Sequence, residues 1–482
     1  MSTVVSPPTP SLAGELSALL GPDQVLTSDY DLTLYEYDAS SLTRAHPDAV
    51  VLPRTTDQVS AVMKLCYERG LPCTPRGAGT GLSGGSVPCE GGVVLSFARM
   101  NRILDIDPDN RFAVVQPGVI NLQLSEAARR HGLYYAPDPS SQRVCTIGGN
   151  VGENSGGAHT LLHGVTTNHV LGLEVVLPTG EVITCGGPEE DSPGLDLRGL
   201  FVGAEGTLGA VTTIWVRLSP LPETTRTMLA VFDHTNAASE AVSAVVANGD
   251  VPAAMEMLDN AAIQAVELAY HAGYPTDAGA VLLIEVEGVA EGLDEHAAAI
   301  AAICEAQGAR EVRIAADAVQ AQKLWSGRKG AFAAMGRLSP DYYTMDGVIP
   351  RSRLPDVLER VAEVGHRYDL RIPNVFHAGD GNLHPLILFD ASDPEQARRV
   401  HRAADEILQA CVEAGGSLTG EHGVGLEKNA LMPLVFGPDD LEQMRRVRRA
   451  VDPKLICNPG KLLPTPGRCA RETGRSRASA GW

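Results

Sequence analysis

Apolar residues recur every three to four positions along residues 56–69, with Val59, Val62, Met63 and Cys66 on one face and Gly70 directly after them. That period predicts an amphipathic helix stopped by a glycine. Short apolar runs at 50–54 and 71–75 bracket it and read as strands. Further strands are predicted at 92–97, 111–118, 170–177 and 211–218, and a helix over 121–132. After PLPETT (220–225) the pattern changes. Strands at 228–232, 280–287, 311–315, 371–377 and 384–389 then alternate with helices at 236–248, 293–307, 354–367, 394–414 and 439–451. This predicts a second unit, one sheet covered by helices.

Composition sharpens the first unit. The chain has 482 residues and 50 glycines, and 25 of the 50 fall within residues 70–209. Clustered glycine asks for backbone that turns sharply or approaches something closely. At 44% hydrophobic and 20% charged the chain is an ordinary globular protein, which excludes collagen-like and disordered classes. A net charge of −20 repels phosphodiester backbones, so no nucleic-acid partner is expected. The tail after Pro464 differs: Arg468, Arg471, Arg475 and Arg477 against Glu472 give it +3, and it is predicted to be disordered. No apolar run reaches the roughly 18–20 residues of a membrane span. The opening MSTVVSPPTP lacks the basic and apolar regions of a signal peptide. Nine scattered cysteines without a C-x-x-C pair argue against zinc ribbons and iron–sulfur ligation, and fit reduced cytosolic thiols.

Three glycine-rich loops carry the candidate chemistry. Residues 79–84 fit G-x-G-x-x-G, but the next predicted element is a strand rather than a helix, which disfavours a Rossmann loop. What remains is a run of backbone N–H groups able to nest an anion. TIGGNVGENSGG (146–157) and VGAEGTLGAVT (202–212) share this style. Each alone reads equally well as a tight turn; together they fit a long, flat dinucleotide lying across bare backbone. Nearer the C-terminus, HAGDGNLH (377–384) and GEHG (420–423) set three histidines and a glutamate in glycine-flanked turns. Imidazoles with one carboxylate make an open three-ligand site for zinc, iron or manganese. Asp380 and Asn382 read either as groups that orient the imidazoles or as turn residues.

PRGAGTGLSGG, PDPSS, TIGGNVGENSGG and VGAEGTLG, in this order and spacing, resemble the FAD-binding domain of the vanillyl-alcohol oxidase/PCMH flavoprotein family. The C-terminal part resembles that family's FAD-linked oxidase branch, which includes enzymes acting on glycolate, D-lactate and D-2-hydroxyglutarate. The resemblance covers about residues 20–464. It implies an α+β fold: a two-subdomain FAD-binding domain, an α+β cap with an antiparallel sheet, and C-terminal helices returning to the flavin. The expected divisions are a leader and helix (1–45), the FAD-binding domain (46–222), the cap (223–415), a closing segment (416–464) and the tail (465–482).

The resemblance also assigns residues. Arg76, Gly77, Ala78, Gly79, Thr80, Gly81 and Gly84 would wrap the FAD pyrophosphate. Pro137, Asp138, Ser140 and Ser141 would contact the flavin–diphosphate region, and Gly148, Gly149, Asn150, Ser155, Gly156 and Gly157 would line the flavin. Glu205, Gly206 and Val211 would reach the adenosine side, with Asn458 and Lys461 returning to the isoalloxazine. Thr80 replaces the histidine that links FAD covalently in some relatives, so FAD is expected to be non-covalent. His377, His384 and Glu421 match the family's metal ligands and His422 its base. Arg328, in LWSGRKGAF (324–332), matches the arginine that grips the substrate carboxylate; Lys329 is a second choice, and Tyr342 or Tyr343 either bonds substrate or packs.

The implied activity is oxidation of a small D-2-hydroxy acid by metal-assisted proton abstraction and hydride transfer. Relatives acting on D-2-hydroxyglutarate carry a lysine before the D-x-x-x-P strand and extra polar residues after the second metal histidine; this chain has Thr344 and Pro385 to Leu388 there, so by the resemblance a second carboxylate would lack partners, which favours glycolate or D-lactate. A flavin-free metal-dependent hydrolase is the alternative of another class. A second flavin-type subunit and an iron–sulfur subunit are the implied electron acceptors. The expected location is cytoplasmic, or peripheral at the membrane through those partners.

Overall fold

The computed structural model describes residues 11–40, 43–189, 193–249 and 251–464; the first ten residues of the expected leader and the basic tail lie outside them. Helix Thr56–Arg69 forms where the period placed it. Thr55 caps it by accepting from Gln58 N–H, Gly70 ends it at φ 63°, and Val59, Val62, Met63 and Cys66 are its buried face. That face packs on a four-stranded sheet in which Ala49–Val51, Val93–Ser96 and Cys73–Arg76 run parallel. A five-stranded antiparallel sheet follows, in the order Ile103–Asp107, Phe112–Val115, Ala210–Arg217, Val170–Val176, Val182–Gly186. The first glycine loop follows strand Cys73–Arg76 of one sheet, and the third precedes strand Ala210–Arg217 of the other.

The second unit is a seven-stranded sheet whose neighbouring strands pair antiparallel. Its strand Ala280–Gly288 sends Leu282, Ile284 and Val286 into one core, and Val281 and Leu283 into the other, as the two-residue strand period requires. Helices Thr235–Ala247, Leu293–Ala306, Leu354–Tyr368 and Pro394–Glu413 cover the first face. Helices Asn260–Tyr270 and Ala318–Ala334 cover the second. The α+β architecture with an antiparallel cap sheet is the one expected.

The pattern did not reveal helix Ile147–Glu153, strand Ala254–Asp259, or the two helices of the second face. Helix Ile147–Glu153 lies inside a glycine-rich loop, started by the Thr146 hydroxyl accepting from Gly149 N–H. Helix Ala318–Ala334 buries Leu324, Trp325, Gly327, Arg328, Gly330 and Ala331 and shows no amphipathic stripe. Its glycines permit close packing: a Cβ on Gly327 would sit 2.6 Å from Ala272 Cβ, and one on Gly330 would enter the Tyr270 ring. Helix Pro438–Val451 returns to the first unit, with Val451 against its core, and a strand-like segment follows it. Cys73 N–H donates to Ile456 O (2.8 Å) and Asn458 N–H to Cys73 O (2.8 Å), adding the closing segment to the first sheet. All eight cysteines among the described residues are free.

Candidate active site

The three glycine loops converge on one open cleft. Arg76 to Gly81, Ser140, Ser141, Gly148 to Asn150, Ser155, Glu205, Gly206 and Val211 line it. Phe332, Glu421 and His422 are also in its wall. Gly79 has φ 71°, left-handed backbone that favours glycine, and the Arg76 guanidinium lies over it. A long cleft of bare backbone with one buried arginine suits a dinucleotide.

Seven predicted contacts lie outside this lining. Pro137 O accepts from Asn121 Nδ2 (2.9 Å), and Asp138 pairs with His159 (Oδ2 to Nδ1, 2.9 Å). Gly157 packs on Asp138, Gly84 on Leu426, and Gly156 on the Glu421 carboxyl. Asn458 and Lys461 are buried behind the loops. Asn458 Nδ2 donates to Gly85 O (2.8 Å) and Glu205 O (2.6 Å); Lys461 Nζ donates to Val87 O (2.6 Å). They buttress the cleft instead of facing it, because their polar atoms are spent on loop carbonyls.

At the Glu421 end stands the histidine cluster. Strands Val375–His377 and Asn382–Leu383 pair through His377 and Asn382, and Gly381 turns at φ 81° between them. This brings the His377 and His384 rings to 5.1 Å. Glu421 Oε1 lies 3.1 Å from His377 Nε2 and 3.2 Å from His384 Nε2. Glu421 Oε2 is buried without a hydrogen-bond partner. Two imidazole nitrogens and a carboxylate meeting at one point, with a ligand atom left over, fit a divalent cation.

Behind His377 is a residue that the sequence reading missed. Glu256 accepts from His377 Nδ1 (2.7 Å) and from Arg328 Nε (2.6 Å), and it is fully buried. A carboxylate on the far nitrogen fixes an imidazole's tautomer and direction. Burial alone would lower the His377 pKa, but Glu256 and Glu421 outweigh it and raise it well above the usual value. Arg328 is 2% exposed. Its expected role as a free fork for substrate is therefore corrected: the guanidinium is committed to Glu256 and lies 3.5 Å from His377 Nδ1. Arg328→Met is expected to destabilise the fold by about 3–5 kcal/mol, since it strands a buried carboxylate; denaturant unfolding checks it. Tyr343 is also committed, donating to Glu427 (3.1 Å). Asp380 accepts from Asn382 N–H (3.0 Å), burial raises its pKa to about 6, and the Asn382 amide packs on Gly420, so both shape the turns.

A second unforeseen group is Asp346. Its carboxylate accepts from Gly420 N–H (3.1 Å), Glu421 N–H (3.2 Å), His422 N–H (3.0 Å), the Thr419 hydroxyl and Lys428 Nζ (2.9 Å). Asp346, His384 and His422 also lie within ligand distance of one another. Lys428 already balances that carboxylate, so the Glu421 trio is the better cation site. His422 stacks on His384 at 4.8 Å and 11°. Its Nδ1 is buried 3.9 Å from Asp346, and its Nε2 lies 3.9 Å from Glu421. Burial outweighs Asp346 and lowers the His422 pKa to about 4, so the ring is neutral at pH 7.

Comparison with known proteins places this architecture. Residues 47–186 match the FAD binding domain model, and residues 221–462 match that of the FAD linked oxidases, C-terminal domain. The chain belongs to the FAD-linked oxidases. Within them it is a glycolate oxidase-like FAD oxidoreductase, which removes the flavin-free hydrolase reading. It is 49% identical to "Glycolate oxidase subunit GlcD" of Escherichia coli (strain K12) over 447 residues, 93% of this chain and 90% of that one. It is 31% identical to "D-lactate dehydrogenase" of Anaerostipes hadrus over 453 residues, covering 92% and 95%. In fold it is similar to p-cresol methylhydroxylase, at a TM-score of 0.80 and 20% identity, covering 93% of this chain and 95% of that one.

Proposed function

We propose that the chain oxidises a small D-2-hydroxy acid, glycolate to glyoxylate or D-lactate to pyruvate. The observation that carries this is the meeting of His377, His384 and Glu421, with Glu421 and His422 in the wall of the cleft that the glycine loops line. The names of its relatives support the substrate class. His377, His384 and Glu421 would hold one divalent cation (zinc, iron or manganese), which when bound supplies Lewis acidity to a hydroxyl and a carboxylate. FAD, held by the loops without a covalent bond, supplies the hydride acceptor. His422 takes the hydroxyl proton on Nε2, because Nδ1 is buried toward Asp346. Glu256 and Arg328 keep His377 aimed at the trio. With Arg328 committed, exposed Lys329, 5.7 Å over the Trp325 ring, is the next cation for a substrate carboxylate.

The deciding experiment is anaerobic mixing with glycolate, D-lactate and D-2-hydroxyglutarate while the flavin absorption is followed. The first two are expected to bleach the flavin, a chelator to abolish bleaching, and a divalent metal to restore it. Preference for the dicarboxylate would overturn the assignment. Acid precipitation is expected to leave the yellow colour in the supernatant; a yellow pellet would mean a covalent link.

Electrons leave the flavin to a second flavin-type subunit and an iron–sulfur subunit. The naming of a relative as a subunit supports this. Among the described residues no helix is long and apolar enough to cross a membrane. The proposed location is cytoplasmic, with any membrane contact made through those partners. Co-purification from native cells tests this; isolation only as a fully active free chain would count against it.

A further inference from the structure

Residues 158–163 of the first unit reach into the cap. Ala158 packs on one of the two cap cores and Leu161 on the other. Between them, His159 bridges the two units. Its Nδ1 lies 2.9 Å from Asp138 Oδ2 and its Nε2 3.2 Å from Glu285 Oε1, and its backbone N–H donates to Asp138 Oδ1 (3.2 Å). The ring stacks on Trp325 of the cap at 5.8 Å and 27°. Asp138 stands just before Ser140 and Ser141, which line the cleft, and Trp325 shares helix Ala318–Ala334 with Phe332 in the cleft wall. His159 thus joins a loop that lines the cleft to the cap helix that reaches it.

The partners of the ring fix its charge. A neutral imidazole carries one N–H and cannot donate to two carboxylates. Both carboxyls accept from other donors as well, which favours their ionised form. Glu285 Oε2 takes Trp325 Nε1–H (2.6 Å) and the Thr227 hydroxyl (2.8 Å), and Asp138 takes the His159 backbone N–H. Both ring nitrogens therefore carry protons. The other charged and titratable groups at this seam are already placed. Glu287, on the same strand face as Glu285, meets His163 Nε2 (2.8 Å), which also meets Tyr134 Oη (3.1 Å); Lys329 stands over the Trp325 ring. Burial alone would lower the His159 pKa, but Asp138 and then Glu285 outweigh it and raise it well above the usual value. With the seam open the ring returns to an ordinary pKa of about 6.5. Closure is therefore fully favoured below that pH and weakens, by up to about tenfold per pH unit, as pH rises toward the raised value.

We propose that His159 is a positioning residue whose imidazolium locks the cap onto the Asp138–Ser141 wall of the FAD cleft, so that loss of its proton loosens the seam and the hold on FAD. This rests on the cleft being the FAD site. FAD release from the holoenzyme, followed by flavin fluorescence between about pH 6 and pH 8.5, tests it with H159Q and E285Q beside wild type. Wild-type release is expected to quicken at least about tenfold across this range. Gln at 159 keeps a neutral donor but cannot take up a proton. H159Q is expected to release FAD about tenfold or more faster than wild type at the acid end, and to change less than about threefold with pH. E285Q removes the charge from the cap side of the seam and is expected to make the profile shallower; it keeps the proposal testable where H159Q does not fold. A pH-independent wild-type rate, parallel profiles in wild type and either variant, or wild-type-like release from H159Q at the acid end would overturn the proposal. A purified wild-type chain that holds no FAD would instead remove the reading of the cleft beneath it.

Discussion

Asparagine at His422 is expected to slow reduction of the bound flavin by glycolate or D-lactate by about 10²–10⁴-fold, the range for removing a positioned general base. FAD and metal are expected to stay bound. The turn that presents residue 422 is held through backbone: its N–H, and those of Gly420 and Glu421, donate to Asp346 whatever side chain follows. The substitution therefore removes the proton acceptor and the ring stacked on His384, and leaves the His377–His384–Glu421 trio in place. Stopped-flow measurement of flavin bleaching, with FAD and metal content assayed on the same sample, separates loss of the base from loss of the site. A variant that bleaches at nearly the wild-type rate would remove His422 as the base.

The parts of this site that were legible in the sequence are those written in local composition. Bare backbone against a cofactor needs glycine, so the three loops stood out, and the loops at 76–81, 148–150 and 205–206 do line one cleft. Histidines in glycine-flanked turns were visible for the same reason. What was hidden depends on pairing between distant segments. Glu256 stands directly across from His377 in the sheet register, 121 residues away in sequence. A lone glutamate in the apolar run AAMEML was the only local sign of it. The resemblance of LWSGRKGAF makes Arg328 a substrate fork, and no local pattern shows that its helix lies over Glu256. Asn458 and Lys461 were placed at the flavin by motif. Their burial against the carbonyls of Gly85, Glu205 and Val87 emerges only when the chain's end joins the first sheet.

Asp346→Ala is expected to remove about 3–5 kcal/mol of stability and, with it, the metal. The fully buried carboxylate binds a cation, a hydroxyl and three successive backbone N–H groups. Alanine leaves the Lys428 ammonium buried without its counter-charge, the costlier half of a broken buried pair. It also orphans N–H groups of the segment whose next atoms are the Glu421 and His422 side chains, at about 1–3 kcal/mol for each group left dry. Asparagine distinguishes charge from hydrogen bonding. Its carbonyl can keep one of these bonds, but its amide N–H₂ faces donors where Asp346 offers a second acceptor, so the turn must shift. Both variants are expected to lose metal and flavin-reduction rate together, with FAD less affected because the cleft loops do not pass through Asp346. Denaturant unfolding and elemental analysis of the same preparations check this. Wild-type stability and metal content in Asp346→Ala would mean that the turn is held by its glycines alone.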